Sequence, residues 1–219
     1  MIAIIPARDG SKSIINKNLQ ILGKKRLVDH AIEYAKSLFF EKVILSTDIP
    51  TLLDEELGVH KRVRPPELCT DEALMSDVVL DVIKSYHVND GQYIWLLQPT
   101  SPFRTKSNAY EIKEILERDK PDSLISVTDI GANHPNRTYT IKNNHLFPLR
   151  FTNFQNKQDL KPIYIRNGCF YIVKAGEFLK RREFHMKPCT PYIMSEDQSV
   201  NIDCKRDLLL ARAMYGQQY

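Results

Sequence analysis

The sequence is poor in the features that mark several classes of protein. Its 4 cysteines, Cys69, Cys169, Cys189 and Cys204, are scattered and never form a CxxC pair. That spacing argues against structural zinc and a disulfide framework, and for reduced thiols in a cytoplasmic setting. No apolar run approaches the ~18 residues that span a bilayer, so no membrane partner is expected. Basic residues are nowhere clustered and interleaved with aromatics, which makes nucleic acid an unexpected partner. Internal repeats and low-complexity segments are absent. The chain as written opens directly on a strand pattern, and no signal or transit peptide is expected from it. Glycine is sparse, with 8 in 219 residues. Around the first basic loop only Gly10 and then Gly23 occur, which is neither P-loop nor dinucleotide-fingerprint spacing.

What is present suits one large domain, or a domain with a small appendage. Hydrophobic residues make up 42% and charged residues 26%, and the net charge of +4 suits an anionic substrate without requiring one. The most informative stretch is the first. An apolar run over residues 2–5 leads straight into a loop with Arg8, Gly10, Ser11, Lys12, Lys17 and Asn18. A strand ending in a cationic turn is a common way to offer backbone N–H groups and positive charge to a phosphate. Solvated lysines on an edge turn are the plainer reading of the same residues.

Hydrophobic spacing then predicts a helix over about 25–39 and a strand over 42–46, a βαβ unit that implies a parallel sheet. The ligand crevice of such a sheet lies at the carboxyl ends of its strands. Further helices are expected over 49–60, ending at Gly58, on the face of Val78, Val79, Val82, Ile83 and Tyr86, and over 108–118. Strands are expected over 93–97, ended by Pro99 and Pro102, and over 123–128, 164–173 and 190–194. A helix over 208–215 closes the chain. Residues 131–161 are polar and show neither period, so they read as an arm that docks on a second subunit. The fold expected is α/β, a doubly wound and mostly parallel sheet, in a single domain of residues 1–219 with a small dimerisation arm.

Six motifs occur in one order: IIPARDGSKSIINKNL at 4–19, STD at 46–48, RPPELCTD at 64–71, LLQPTSPFRT at 96–105, RNGCFYIV at 166–173 and SVNIDCKRDL at 199–208. Together they resemble the acylneuraminate cytidylyltransferases, over nearly the whole chain. The resemblance implies a Rossmann-like nucleotidyltransferase that transfers CMP from CTP to the anomeric hydroxyl of an acidic 2-keto sugar. That sugar would be a sialic-acid-like nonulosonic acid of the N-acetylneuraminic, legionaminic or pseudaminic type, and pyrophosphate would leave. Two alternatives stay open: the same chemistry on KDO or an amino-KDO sugar, and a catalytically weakened homologue that only binds nucleotide.

On the same resemblance, Arg8 and Lys12 hold the triphosphate, with Lys12 stabilising charge at the α-phosphate and Arg8 supplying a planar fork. Gly10, Ser11, Lys17 and Asn18 complete the CTP-binding loop. Gln98 and Asn167 are implied for the sugar, with a loop cap as the alternative for Gln98, and Gly168 beside Asn167 suggests close backbone approach. Arg137 and Lys157 in the arm match, loosely, the cations that meet the sugar carboxylate, partly across a homodimer interface. Arg104 reads as a brace of its loop and His134 as a packing or capping residue. Mg²⁺ is the implied cofactor, on Asp203 and Asn201, with an N-cap of the last helix as the other reading of Asp203. The family usually shows two aspartates there, and Asn201 replaces one. Asp9 and Ser13 also depart from the family's small residues, and Asn16 follows a loop without its common proline. Asp9 is therefore a candidate to restore the missing carboxylate.

Overall fold

In a computed structural model, which describes residues 1–149 and 161–218, the first strand is the centre of the sheet. All 6 residues of β1 (Ile2–Ala7) are buried, as a strand covered on both faces requires. It pairs in parallel with β4 (Lys42–Thr47) on one side and β6 (Tyr93–Leu96) on the other. Beyond β4 lies β5 (His60–Val63), again parallel. On the other flank β10 (Tyr164–Lys174) runs antiparallel to both β6 and β7 (Ser123–Asp129), and β11 (Thr190–Ile193) is parallel to β7. The order is β11-β7-β10-β6-β1-β4-β5. With β10 alone reversed, the sheet is mostly parallel, as expected.

Alternation along β1 divides the core. Ala3, Ile5 and Ala7 face a layer built by α1 (Leu27–Lys36) and α4 (Lys106–Asp119). Ile2 and Ile4 face α3 (Met75–Ser85) and α5 (Ala175–Arg181). Period-2 strands between period-3.6 helices give the doubly wound arrangement. A third cluster joins Ile14 of the first loop to Leu22, Leu27, Ile202, Leu208 and Ala211. Through it the terminal helix α6 (Lys205–Gln218) seats that loop.

Several boundaries differ from the sequence reading. The helix expected over 49–60 is only α2 (Pro50–Asp54), followed by β5. Gly58 (φ +64°) breaks the segment, and β5 is an edge strand whose polar HKRV carries no apolar signature. The first helix is shorter than 25–39 because Lys25 and Arg26 form β3 (Lys25–Arg26), paired with β2 (Ile21–Leu22) around Gly23. The last helix is longer, starting at Lys205. The arm contains a hairpin, β8 (Tyr139–Lys142) and β9 (His145–Pro148), turned by Asn143 and Asn144, both with positive φ. Asn tolerates that conformation, which two-residue hairpin turns require. Lys157, the expected arm cation, lies outside the described residues.

Candidate active site

The site forms where the order of strands reverses, at the carboxyl ends of β1, β4 and β6. The chain leaves β1 at Ala7 and turns at Gly10 (φ +66°) and Asn16 (φ 51°). Asp48, just past β4, accepts a hydrogen bond from Asp9 N (2.8 Å), and the Asp9 carboxylate takes the Gly10 N–H (2.7 Å). Asn18 Nδ2 donates to the Arg8 carbonyl (2.9 Å), fastening the far end of the loop to its start.

Two carboxylates organise the cations. The Arg8 guanidinium and the Lys12 ammonium (2.6 Å) both pair with Asp71, from the loop between β5 and α3. Hydrogen bonds from Lys12 first, then Arg8, hold the Asp71 carboxyl below its usual range, and Asp71 pushes Lys12 up. Arg8 also donates to the carbonyls of Asp9 (3.0 Å), Gly10 (3.3 Å) and Cys69 (3.4 Å). The second carboxylate is Asp203. Lys17 Nζ lies 3.4 Å from Asp203 Oδ1, and Asn201 Nδ2 donates to Oδ2 at 2.5 Å. The Asp203 side chain is 68% exposed. Among the described residues no hydrogen bond from α6 reaches its carboxylate, and Asp207 satisfies the start of the helix instead, accepting from Asp203 N (2.9 Å) and Cys204 N (2.8 Å).

The loop after β6 forms the adjoining wall. Gln98 sits half-buried at its start, with Oε1 3.5 Å from Thr100 Oγ1. Arg104 is the brace expected. It donates to the carbonyls of Cys169 (2.9 Å) and Gln98 (2.8 Å), and lies over the rings of Tyr34 (5.5 Å) and Phe170 (5.9 Å). The same wall meets the Asp203 segment, because Ile202 N donates to Thr100 O (2.8 Å) and Ser101 Oγ to Asn201 Oδ1 (3.4 Å).

Asn167 belongs to a bulge in β10, where the pairing with β7 shifts register between Arg166 and Tyr171. It is 5% exposed. Its Oδ1 accepts from Ser126 Oγ (2.6 Å) and Cys169 N (3.2 Å), and its Nδ2 donates to Ser199 Oγ (2.8 Å). Its amide is thus spent inside the protein. Gly168 beside it has φ +78°, and a Cβ there would stand 3.3 Å from Asn201 Cγ. Strand bulge and Asn201 therefore meet through a glycine.

Other expected residues are less connected. Arg137 is the exposed end of a half-buried turn, Pro135–Arg137, and among the described residues no hydrogen bond or ion pair joins it to the cationic loop. His134 caps that turn, its Nδ1 accepting from Asn136 N (3.1 Å). Asp9 is engaged with Asp48 and Gly10, and among the described residues no hydrogen bond joins it to Asn201 or Asp203. Asp71 was overlooked by residue type, although its motif RPPELCTD stands out in the sequence. No group of three or more His, Cys, Asp or Glu among the described residues is arranged to hold a metal ion.

A cationic loop at the switch point of a mostly parallel, doubly wound sheet defines an α/β nucleotidyltransferase fold. Comparisons with known proteins agree. A cytidylyltransferase family profile matches residues 2–193, and the chain belongs to that family. It is 32% identical over 219 residues to an N-acylneuraminate cytidylyltransferase of Escherichia coli, covering 96% of this chain and 51% of that protein. A Streptococcus agalactiae protein of the same name is 31% identical, with 95% and 51% covered. The chain thus spans about half the length of these curated relatives. A CMP-N,N'-diacetyllegionaminic acid synthase of Legionella pneumophila is 30% identical, with 98% of this chain and 95% of that protein covered. Among solved structures, a CMP:2-keto-3-deoxy-manno-octonic acid synthetase complexed with CTP superposes with a TM-score of 0.73 at 15% identity, covering 100% of this chain and 99% of that one. At that identity the likeness speaks for the fold alone.

Proposed function

We propose that this protein transfers CMP from CTP to the anomeric hydroxyl of a sialic-acid-like nonulosonic acid and releases pyrophosphate. The observation that carries this reading is the convergence of Arg8, Lys12 and Lys17 on one loop at the sheet's carboxyl edge, joined by Lys17 to Asp203. The relatives near 30% identity, named for N-acylneuraminate and diacetyllegionaminic acid, support this class of sugar.

The chemistry asks for little covalent help. The anomeric oxygen attacks the α-phosphorus, the bond to the bridging oxygen of the β-phosphate breaks, and pyrophosphate leaves. Catalysis then rests on positioning and on offsetting charge that develops on phosphate oxygens. Arg8, fixed by three carbonyls, is the stationary cation. Lys12, whose side chain is 81% exposed, is the movable one. Gly10, Ser11, Lys17 and Asn18 hold and shape the remainder of the CTP loop. Gln98, which can both donate and accept, serves a polyol. Asn167 acts as a positioning residue that keeps the bulge and Gly168 in place. Arg137 and Lys157 are the arm's candidates for the sugar carboxylate.

A divalent ion suits the donor set only if substrate brings most of its ligands. Mg²⁺ takes one or two carboxylates together with phosphates, and Asp203 offers one exposed carboxylate beside the Asn201 amide. When bound, the ion would neutralise phosphate charge. The hairpin β8–β9 exposes Tyr139, Ile141, Leu146 and Phe147, which supports a homodimer built through the arm. No helix among the described residues is long and apolar enough to cross a membrane, and use of CTP favours the cytoplasm.

The test is pyrophosphate release from CTP with a panel of N-acetylneuraminic, legionaminic, pseudaminic and KDO acids. Turnover with one of the first three is expected. Turnover with KDO alone, or saturable CTP binding without turnover, overturns the reading.

A further inference from the structure

Arg8 and Lys12 reach the same carboxylate, although they stand four positions apart on a loop and Asp71 comes from a different one. Their surroundings are unequal. Arg8 is 27% exposed, and its Nη1 also faces the carbonyls of Asp9, Gly10 and Cys69, so Asp71 is one of several tethers for it. Among the described residues, Lys12 has Asp71 as its one ion-pair partner. Among the described residues the Asp71 carboxylate has Arg8 and Lys12 as its side-chain partners, and the loop that carries it is anchored upstream. That loop is pinned at Arg64, which is 3% exposed and donates to Ser46 O (2.9 Å), and at Cys69, whose thiol donates to Pro65 O (3.2 Å).

We infer that Asp71 is a positioning residue that stands in for phosphate, parking Lys12 beside Arg8 until the triphosphate takes Lys12 over. The inference rests on the CTP reading above. Two cations left side by side would repel each other, and a flexible lysine would sample solvent. One carboxylate between them removes the repulsion and confines the lysine. The triphosphate, with more charge than Asp71, then competes for the same ammonium. Once pyrophosphate leaves, Asp71 recaptures Lys12, so the carboxylate also favours release.

The predicted signature is selective for phosphate. Titration calorimetry of the whole chain compares inorganic tripolyphosphate, CTP, UTP and cytidine against wild type, Asp71→Asn and Asp71→Glu. Asp71→Asn should bind tripolyphosphate and CTP about threefold or more tightly, the scale expected for exposed ion pairs, while cytidine is unchanged. The KM for CTP and kcat should fall together, and pyrophosphate should inhibit more strongly by a similar factor. Asp71→Glu should resemble wild type, and the gain should vanish on a Lys12→Met background. Equal shifts for cytidine, or no tightening of tripolyphosphate, overturn the inference, since a merely structural role would produce them. Tightening of tripolyphosphate with no preference for CTP over UTP keeps the Asp71 role and overturns the cytidylyl reading instead.

Discussion

Arg8 and Lys12 carry the same charge, yet their environments assign them different work. Removing Lys12 should cost mostly transition-state stabilisation. Lys12→Met is expected to lower kcat/KM by roughly 10²–10³-fold, the range for losing one group aimed at developing charge, with a smaller change in CTP affinity by calorimetry. Asn201 makes a different prediction. Its amide donates to Asp203 and its Cγ lies against Gly168, so it orients the single carboxylate. Asn201→Asp should reduce the Mg²⁺ concentration needed for half-maximal rate, and an unchanged requirement would mean that no metal binds beside it. The cations and Asp203 were legible from residue type and motif. Asp71 was not, because its meaning depends on a contact between two loops that only the fold brings together. The internal hydrogen bonds of Asn167 were illegible for a similar reason: a sequence shows the amide but not the partners the fold brings to it.

At the scale of elements, the strongly patterned pieces were legible and the weakly patterned ones were not. β1 and α4 follow from their apolar periodicity. β5 does not, since an edge strand needs no buried alternation and HKRV shows none. The β8–β9 hairpin hides in a polar segment whose only local cue is Asn143-Asn144. The β2–β3 turn packs on the terminal helix through one glycine. Gly23 has φ +63°, and a Cβ there would fall 2.2 Å from the Tyr215 ring. Gly23→Ala should therefore destabilise the fold by about 1–3 kcal/mol through backbone strain and displacement of α6. Urea denaturation measures this, and the cationic loop, seated through Ile14 on the cluster that holds α6, should lose its proposed affinity for CTP with it. Wild-type stability in that variant would show that α6 does not hold the loop.

For the whole molecule, the sheet places every motif loop at one edge, while the arm projects an apolar hairpin that the main sheet does not pair. If the arm completes a neighbour's site with Arg137 or Lys157, specific activity should fall on dilution below the dimer's dissociation constant. Full activity from a species that sediments as a monomer would contradict that. In the proposed reaction a phosphodiester forms between CMP and the acid sugar. The direct measurement is ³¹P NMR of CTP and a nonulosonic acid with the enzyme. The three CTP resonances should give way, mole for mole, to one phosphodiester and to pyrophosphate. Appearance of CDP with inorganic phosphate, or an unchanged CTP spectrum in the presence of every acid sugar tried, would contradict it.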